Sequence, residues 1–295
     1  MTELTPRAAT LVGAGAIALW STLAVLTAIA APPPFFACAV AFALAAGLGL
    51  AKRAARGESL LEPFKQKKRV WALGLYGLFG YHASYFAALA LAPPVEANLL
   101  NYLWPLLIVL FAGLLPGERL RWFHLAGAAL GLAGCVLVVG AGASAGGDGL
   151  GASQFLGYGF AAGAAVIWAS YSVLSRRFGE VPTDAVGAFC AGTAVLAAIC
   201  HLMFEEPYVA TFAQWLALLA MGLGPVGLAF YLWDIGMKKG DIKALGAASY
   251  LTPILSTGLL ILAGRGEANA TLLAACALVV GGAVLASKDV LFKRG

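Results

Sequence analysis

Charge is scarce in this sequence. Only 11% of its 295 residues are Asp, Glu, Lys or Arg, against 61% apolar, where an ordinary soluble domain carries roughly 25% charge and 45–50% apolar residues. So few charges cannot cover a water-exposed surface of this length, and the surplus of apolar side chains must face lipid. Cysteine is also sparse. Cys38, Cys135, Cys190, Cys200 and Cys276 all fall in apolar stretches, with no Cys-x-x-Cys and no Cys/His ligand spacing. That excludes a zinc site or a disulfide framework as the organising device and leaves five small packing residues. No metal and no cofactor is expected. The pI near 9.0 does not point to nucleic acid. The basic residues stand in short runs between apolar stretches, as in cytoplasmic membrane loops, and not as a basic groove with exposed aromatics.

What the chain does have is long apolar runs. A helix needs about 20 apolar residues to cross a bilayer core. Candidates lie near 10–30, 35–51, 70–90, 95–115, 122–141, 154–174, 185–204, 213–233, 244–263 and 270–287. Pro32-Pro33-Pro34, Pro93-Pro94, Pro116-Gly117, the Gly/Ser/Ala run 142–153, Pro182, Pro207 and Gly264-Arg265-Gly266 punctuate them. Ala28-Ile29-Ala30 resembles a cleavage site. The run before it is longer than an h-region, and Glu3 with a lone Arg7 makes a poor n-region, so the first segment counts as a span.

Placing the N-terminus inside and alternating sides gives a one-sided basic distribution. Inside fall Arg7, then Lys52, Arg53, Arg56, Lys65, Lys67, Lys68 and Arg69, then Arg119 and Arg121, then Arg176 and Arg177. Lys238, Lys239, Lys243, Lys288, Lys293 and Arg294 complete that set, and only Arg265 falls outside. The positive-inside rule therefore predicts a multi-pass inner-membrane protein of ten spans with both termini cytoplasmic.

A shift of 148 residues lays the chain on itself. Gly15 falls on Gly163, Trp20 on Trp168, Tyr102-Leu103-Trp104-Pro105 on Tyr250-Leu251-Thr252-Pro253, and Gly134 on Gly282; one residue of slip then aligns Gly117-Glu118 with Gly266-Glu267. The expected units are a first five-helix repeat over 1–147 and a second over 148–295. Five is odd, so the second copy lies upside down relative to the first. Inverted repeats place a transport site near the midplane, where the halves meet.

These features resemble the drug/metabolite transporter superfamily with its EamA repeats, over nearly the whole chain. Gly80-Tyr81-His82-x-x-Tyr85 and Asn101-Tyr102-Leu103-Trp104-Pro105 are similar, more narrowly, to that superfamily's aromatic amino acid exporters. The resemblance implies a basket-like all-α bundle around a central cavity that exports amino acids from the cytoplasm.

Several residues are candidates for the transport path. Pro105 and Pro253 lie mid-span, where proline removes a hydrogen bond and kinks a helix. Their symmetric placement suggests paired gating hinges, although prolines are common in membrane helices. Tyr81 and Tyr85 share a helix face with His82 beside them. Asn98 and Tyr102 on span 4, Tyr250 on span 9, Trp20 and Trp168 on spans 1 and 6, and Trp233 at the position paired with Tyr85 extend a candidate substrate wall. Trp104 points away from Tyr102 on an ideal helix and is included through the resemblance alone. Such walls stack on flat apolar groups and attract cations. An interfacial belt accounts better for Trp71, Trp122, Tyr208 and Trp215 at span ends.

His82 is the ionisable residue best placed within a span, and a satisfied neutral histidine is the alternative. Asn98, Asn101, Ser170, Ser172 and Ser249 offer hydrogen bonds to an amino acid's charged ends. Glu96 and Asp234, at span ends, are expected to snorkel to water, and Glu118 to organise a loop. No deep carboxylate pair of the kind used by proton pumps occurs. Gly222-x-Gly224-x-x-Gly227 matches a dinucleotide fingerprint but lies inside an apolar span, where small residues serve helix packing. No Gly-x-Ser-x-Gly elbow supports a hydrolase.

The resulting expectation is a transporter, not an enzyme, exporting aromatic or bulky apolar amino acids by alternating access. Its partners are the small-molecule substrate and membrane lipid. A broad drug/metabolite or general amino acid exporter of the same fold is the first alternative, and a membrane-embedded enzyme the second. The sequence leaves the oligomeric state open, and a monomer is compatible with it.

Overall fold

The computed structural model describes residues 4–30, 32–93, 97, 100–115, 121–145, 151–264, 270–286 and 288; for some helical residues, Pro253 among them, it describes the backbone alone. Glu96, Asn98, Glu118, Arg119, Arg265 and Glu267 lie outside the described residues. The described chain is helical, with no strand in it.

The first expected span divides into α1 (Pro6–Ser21) and α2 (Leu23–Ala30). Thr5 caps α1 by accepting the Ala8 amide at 3.3 Å, and Pro6 opens the helix, a position where its missing N–H costs nothing. α3 (Pro34–Ala55) begins in the proline run and ends on Lys52 and Arg53, which complement the negative helix end. Next come α4 (Lys68–Leu75), a π-helical turn (Tyr76–Gly80) and α5 (Tyr81–Leu91); then α6 (Trp104–Ala112), α7 (Trp122–Ala145), α8 (Ala152–Ser175) and α9 (Ala185–Phe204). α10 (Phe212–Leu223) opens on a capping box, in which Gln214 accepts the Thr211 amide at 2.8 Å. A second π turn (Gly224–Leu228) leads to α11 (Ala229–Lys239), followed by α12 (Ile242–Ala248), α13 (Leu251–Leu262) and α14 (Ala270–Ala286). Among the described residues, five helices are both long and apolar enough to cross a membrane.

The two π turns, Tyr76–Gly80 and Gly224–Leu228, are themselves 148 residues apart. Spans 4 and 9 are not the bent but continuous helices expected from Pro105 and Pro253. The chain breaks at Tyr102-Leu103 and at Ser249-Tyr250, and new helices start at Trp104 and Leu251. Pro105 therefore sits in the first turn of α6, where it needs no amide partner. The Leu103 amide turns back to Leu100 O at 3.1 Å and the Thr252 amide to Ser249 O at 3.0 Å, so both breaks close with a tightened turn.

The heaviest packing joins α7 with α14, α3 with α9, α1 with α11 and α5 with α8. Glycine permits the closest of these approaches. A Cβ on Gly13 of α1 would lie 2.9 Å from Gly236 Cα on α11, and one on Gly134 of α7 would lie 2.9 Å from Ala275 O on α14. The Gly222/Gly224/Gly227 triplet lies in α10 and its π turn, and a Cβ on Gly222 would collide with Leu44 at 2.6 Å. Gly222 and Gly227 stand against α3, at Leu44 and Ala45, whereas Gly224 faces Leu19 of α1, so helix packing is what this triplet serves.

Candidate substrate cavity

Between these helices lies a cavity of about 410 Å³, within the range of small-molecule sites. Its wall takes Trp20 from α1, Cys38, Ala41 and Phe42 from α3, and Tyr81, His82, Tyr85 and Phe86 from α5. Asn101 and Tyr102 come from the break in span 4, Trp104 from α6, Trp168 from α8, Phe230 from α11, and Thr252 and Ser256 from α13. Among the described residues, no Asp, Glu, Lys or Arg lines it. It extends from the mid-helix tryptophans toward Thr27, Pro32, Pro34 and Leu89, at one set of helix ends.

Indole rings close the other side. Trp20 meets Trp104 at 5.9 Å and Trp168 at 5.5 Å between centroids, both edge to face, and Trp233 at 5.0 Å. Each such pair contributes about 0.5–1.5 kcal/mol beyond its buried area. Trp233 is not on the cavity wall; it is buried behind Trp20, and its indole N–H donates to Ser172 Oγ at 3.1 Å. Tyr250 is likewise off the wall, buried with Leu106, Val109, Ala275 and Val279. Tyr85 and Tyr102, the residues that the 148-residue shift pairs with Trp233 and Tyr250, do line the cavity. The two halves therefore do not line it alike, and pairing by the repeat assumes that they do.

The break in span 4 corrects the placement of Trp104. On an ideal helix it points away from Tyr102, yet both residues line the cavity, because the chain turns at Tyr102-Leu103 between them. Tyr81 and Tyr85 stack at 5.9 Å and 6°, and the Asn101 side-chain amide donates to Tyr81 OH at 3.0 Å. His82 is buried, with Phe42 edge-on at 4.9 Å. Its Nδ1 lies 2.7 Å from Leu78 O. A carbonyl only accepts, so Nδ1 carries the proton. Leu78 belongs to the π turn, where the regular amide ladder is interrupted, and the imidazole serves that carbonyl.

Phe42, Phe86 and Phe230 belong to the wall but were not singled out from sequence. Phe42 and Phe230 stack at 5.5 Å and 12°. A phenylalanine in an apolar span carries no polar signal to separate cavity from lipid. Of the remaining hydrogen-bonding candidates, Asn101 lines the cavity, whereas Ser170, Ser172 and Ser249 are spent on Val166 O, Trp233 Nε1 and Leu245 O.

Asp234 does not snorkel. It is 5% exposed, pairs with Lys238 at 2.9 Å and accepts from Thr183 Oγ1 at 2.8 Å. At the same end of the bundle, Asp184 before α9 meets Lys52 at 2.8 Å and Arg53 at 2.9 Å at the end of α3. Burial pushes the Asp184 carboxyl up, but the two cations beside it outweigh burial and hold it below the usual carboxylate range. At the opposite end, Glu205 after α9 accepts the Phe35 and Phe36 amides at 2.7 and 3.0 Å, capping α3, with His201 at 2.8 Å.

The model of the EamA-like transporter family matches residues 7–140 and 155–288. The chain is 53% identical over 280 residues to the aromatic amino acid exporter YddG of Ancylobacter novellus, covering 95% of this chain and 96% of that protein. It is 27% identical to the exporter of the same name in Escherichia coli, over 61% of this chain and 60% of that one. A crystal structure with 51% sequence identity aligns over 97% of this chain and 99% of its own, with a TM-score of 0.83.

Proposed function

The chain belongs to the EamA-like transporter family, and from that premise we propose that it exports aromatic and bulky apolar amino acids across a bacterial inner membrane by alternating access. The observation that carries this reading is the cavity itself. It is walled by aromatic rings, free of fixed charge among the described residues, and of a volume suited to one small solute. The likeness to exporters named for aromatic amino acids supports the same cargo.

The working unit in this reading is a pair of inverted five-helix repeats, 1–147 and 148–295, with both termini cytoplasmic. The two family matches lie 148 residues apart, which supports the division. So does the packing. A shift of one repeat turns the α1–α11 pair into the α8–α5 pair, and exchanges the partners within α3–α9 and α7–α14. Such symmetry is what allows two halves to exchange conformations and reverse the open side.

With the N-terminus inside, the ends near Thr27, Pro34 and Leu89 are external, and the cavity faces outward. The cytoplasmic side is then closed by the tryptophan cluster, by Asp234 with Lys238 and Thr183, and by Asp184 with Lys52 and Arg53. The breaks before Pro105 and Pro253 serve as paired hinges, because helix termini absorb large dihedral changes at little cost. Tyr81, His82, Tyr85, Tyr102, Trp20, Trp104 and Trp168 form the binding wall. Trp233 and Tyr250 support it from behind.

Purified protein in liposomes tests this. Labelled phenylalanine, tyrosine and tryptophan should exchange across the bilayer at rates well above those of protein-free vesicles, and an absence of all three fluxes would end the proposal. A wall without charge also favours a second, wider cargo of neutral metabolites. Competition of phenylalanine flux by non-amino-acid aromatics as strongly as by tyrosine would select that reading.

A further inference from the structure

The two helix breaks share a feature that the aromatic wall does not explain. Asn101, just before the break in span 4, is 3% exposed, and its Oδ1 has no hydrogen-bond partner among the described residues. Thr252, just after the break in span 9, is 4% exposed, and its Oγ1 has none either. Both residues line the cavity, with these two oxygens themselves buried in its wall. Leaving a buried polar atom unpaired costs about 1–3 kcal/mol. Native proteins rarely tolerate this without a use for it, such as a ligand or an ordered water. The neighbouring Ser249 hydroxyl is satisfied, donating to Leu245 O at 2.7 Å.

We propose that Asn101 and Thr252 form the subsite that holds the charged ends of the substrate, Asn101 Oδ1 accepting from its α-ammonium and Thr252 Oγ1 donating to its α-carboxylate. This rests on the amino acid cargo proposed above. The assignment follows from donor chemistry. The Asn101 amide nitrogen is turned to Tyr81 OH, which leaves its carbonyl oxygen, an acceptor only, for a cation. A threonine hydroxyl can donate to an anion. Thr252 Oγ1 can turn toward a ligand without breaking a protein hydrogen bond, Asn101 Oδ1 is to be met with the amide held as it stands on Tyr81 OH, and the ligand recovers the desolvation cost already incurred. A zwitterion needs such partners in a cavity whose described residues carry no fixed charge, because its two ends lose water on entry. The two residues stand on opposite repeats, beside the two proposed hinges. A substrate bound to both would tie span 4 to span 9 and so couple occupancy to the motion of the halves.

The test compares three probes in reconstituted liposomes: phenylalanine, phenethylamine, which lacks the carboxylate, and 3-phenylpropionate, which lacks the ammonium. The last two are read as competitors of labelled phenylalanine exchange. Thr252→Val should raise the phenylalanine half-saturation about tenfold, the measure of one hydrogen bond to a charged group, while phenethylamine competes as in wild type. Asn101→Leu should weaken phenylalanine and phenethylamine alike and spare 3-phenylpropionate. Thr252→Ser should behave as wild type, which separates lost chemistry from lost fold, and an unchanged melting temperature of each detergent-purified variant does the same. If Thr252→Val weakens phenylalanine and phenethylamine equally, or weakens neither, the subsite is wrong while the exporter reading stands. If wild type moves no phenylalanine, the exporter reading falls and takes the subsite with it.

Discussion

Trp20 sits among the rings of the molecule's centre, touching Trp104, Trp168, Phe230 and Trp233. It therefore both lines the cavity and seals its closed side. Trp20→Ala removes several aromatic pairs of about 0.5–1.5 kcal/mol each. It should lower specific phenylalanine exchange by about tenfold or more, and Trp168→Ala should do nearly the same, as measured by initial flux in liposomes at matched protein content. Asp184 makes a different kind of prediction. Its carboxyl is held low in the folded state by Lys52 and Arg53, so its stabilising effect is complete above the unfolded pKa near 3.8. That effect is lost as pH falls through the lower folded value. Asp184→Asn should cost about 1 kcal/mol near neutral pH, a modest figure because solvent screens the partly exposed Lys52. The gap in melting temperature between variant and wild type should narrow as pH falls below about 4, the unfolded carboxylate range. A gap that stays constant down to pH 3 would show that the pair is not responsible.

At the scale of helices, contact distance decides what can be substituted. The α1–α11 crossing is held at glycine spacing by Gly13 and Gly236, where an added Cβ on Gly236 would lie 2.7 Å from Gly13 Cα. The atom in the way is backbone, so it cannot swing aside. Gly236→Ala should destabilise by about 1–3 kcal/mol, the usual cost of overpacking, seen as a lower melting temperature in detergent. Gly47→Ala, where a Cβ would meet open space, should leave it unchanged. The helix breaks carry the kinetic prediction. Pro105→Ala and Pro253→Ala permit α6 and α13 to extend back through the breaks, stiffening the hinges. Both should slow exchange several-fold while shifting phenylalanine half-saturation less; normal rates in both variants would remove the hinge assignment.

For the molecule as a whole, the proposed inverted repeat demands an even number of crossings. Tags at the two ends of the chain should report the same, cytoplasmic side, and labelling on opposite sides would dismantle the two-half mechanism. Composition and the 148-residue shift carried most of this scale. Scarce charge required lipid, Gly134 and Gly282 marked the α7–α14 contact, and Trp20 with Trp168 marked the centre. The candidate wall was legible where a polar or bulky aromatic residue stood mid-span, as with Tyr81, His82, Tyr85 and Tyr102. It was not legible for Phe42 and Phe230, because an apolar ring reads the same whether it faces lipid, core or cavity.

The sequence alone determined membrane immersion, the family of fold and the aromatic character of the centre, since these follow from which residue types occur and at what period. Only the tertiary structure decided which rings form the wall. The π turns at Tyr76–Gly80 and Gly224–Leu228 and the breaks before Pro105 and Pro253 rotate everything after them. The break at Tyr102-Leu103 put Trp104 onto the cavity, and the two halves line it unequally, which leaves Trp233 and Tyr250, the partners of Tyr85 and Tyr102, off it. Such rotations arise from how neighbouring helices pack against a weakened turn, and that is a property of the assembled bundle, not of any one segment.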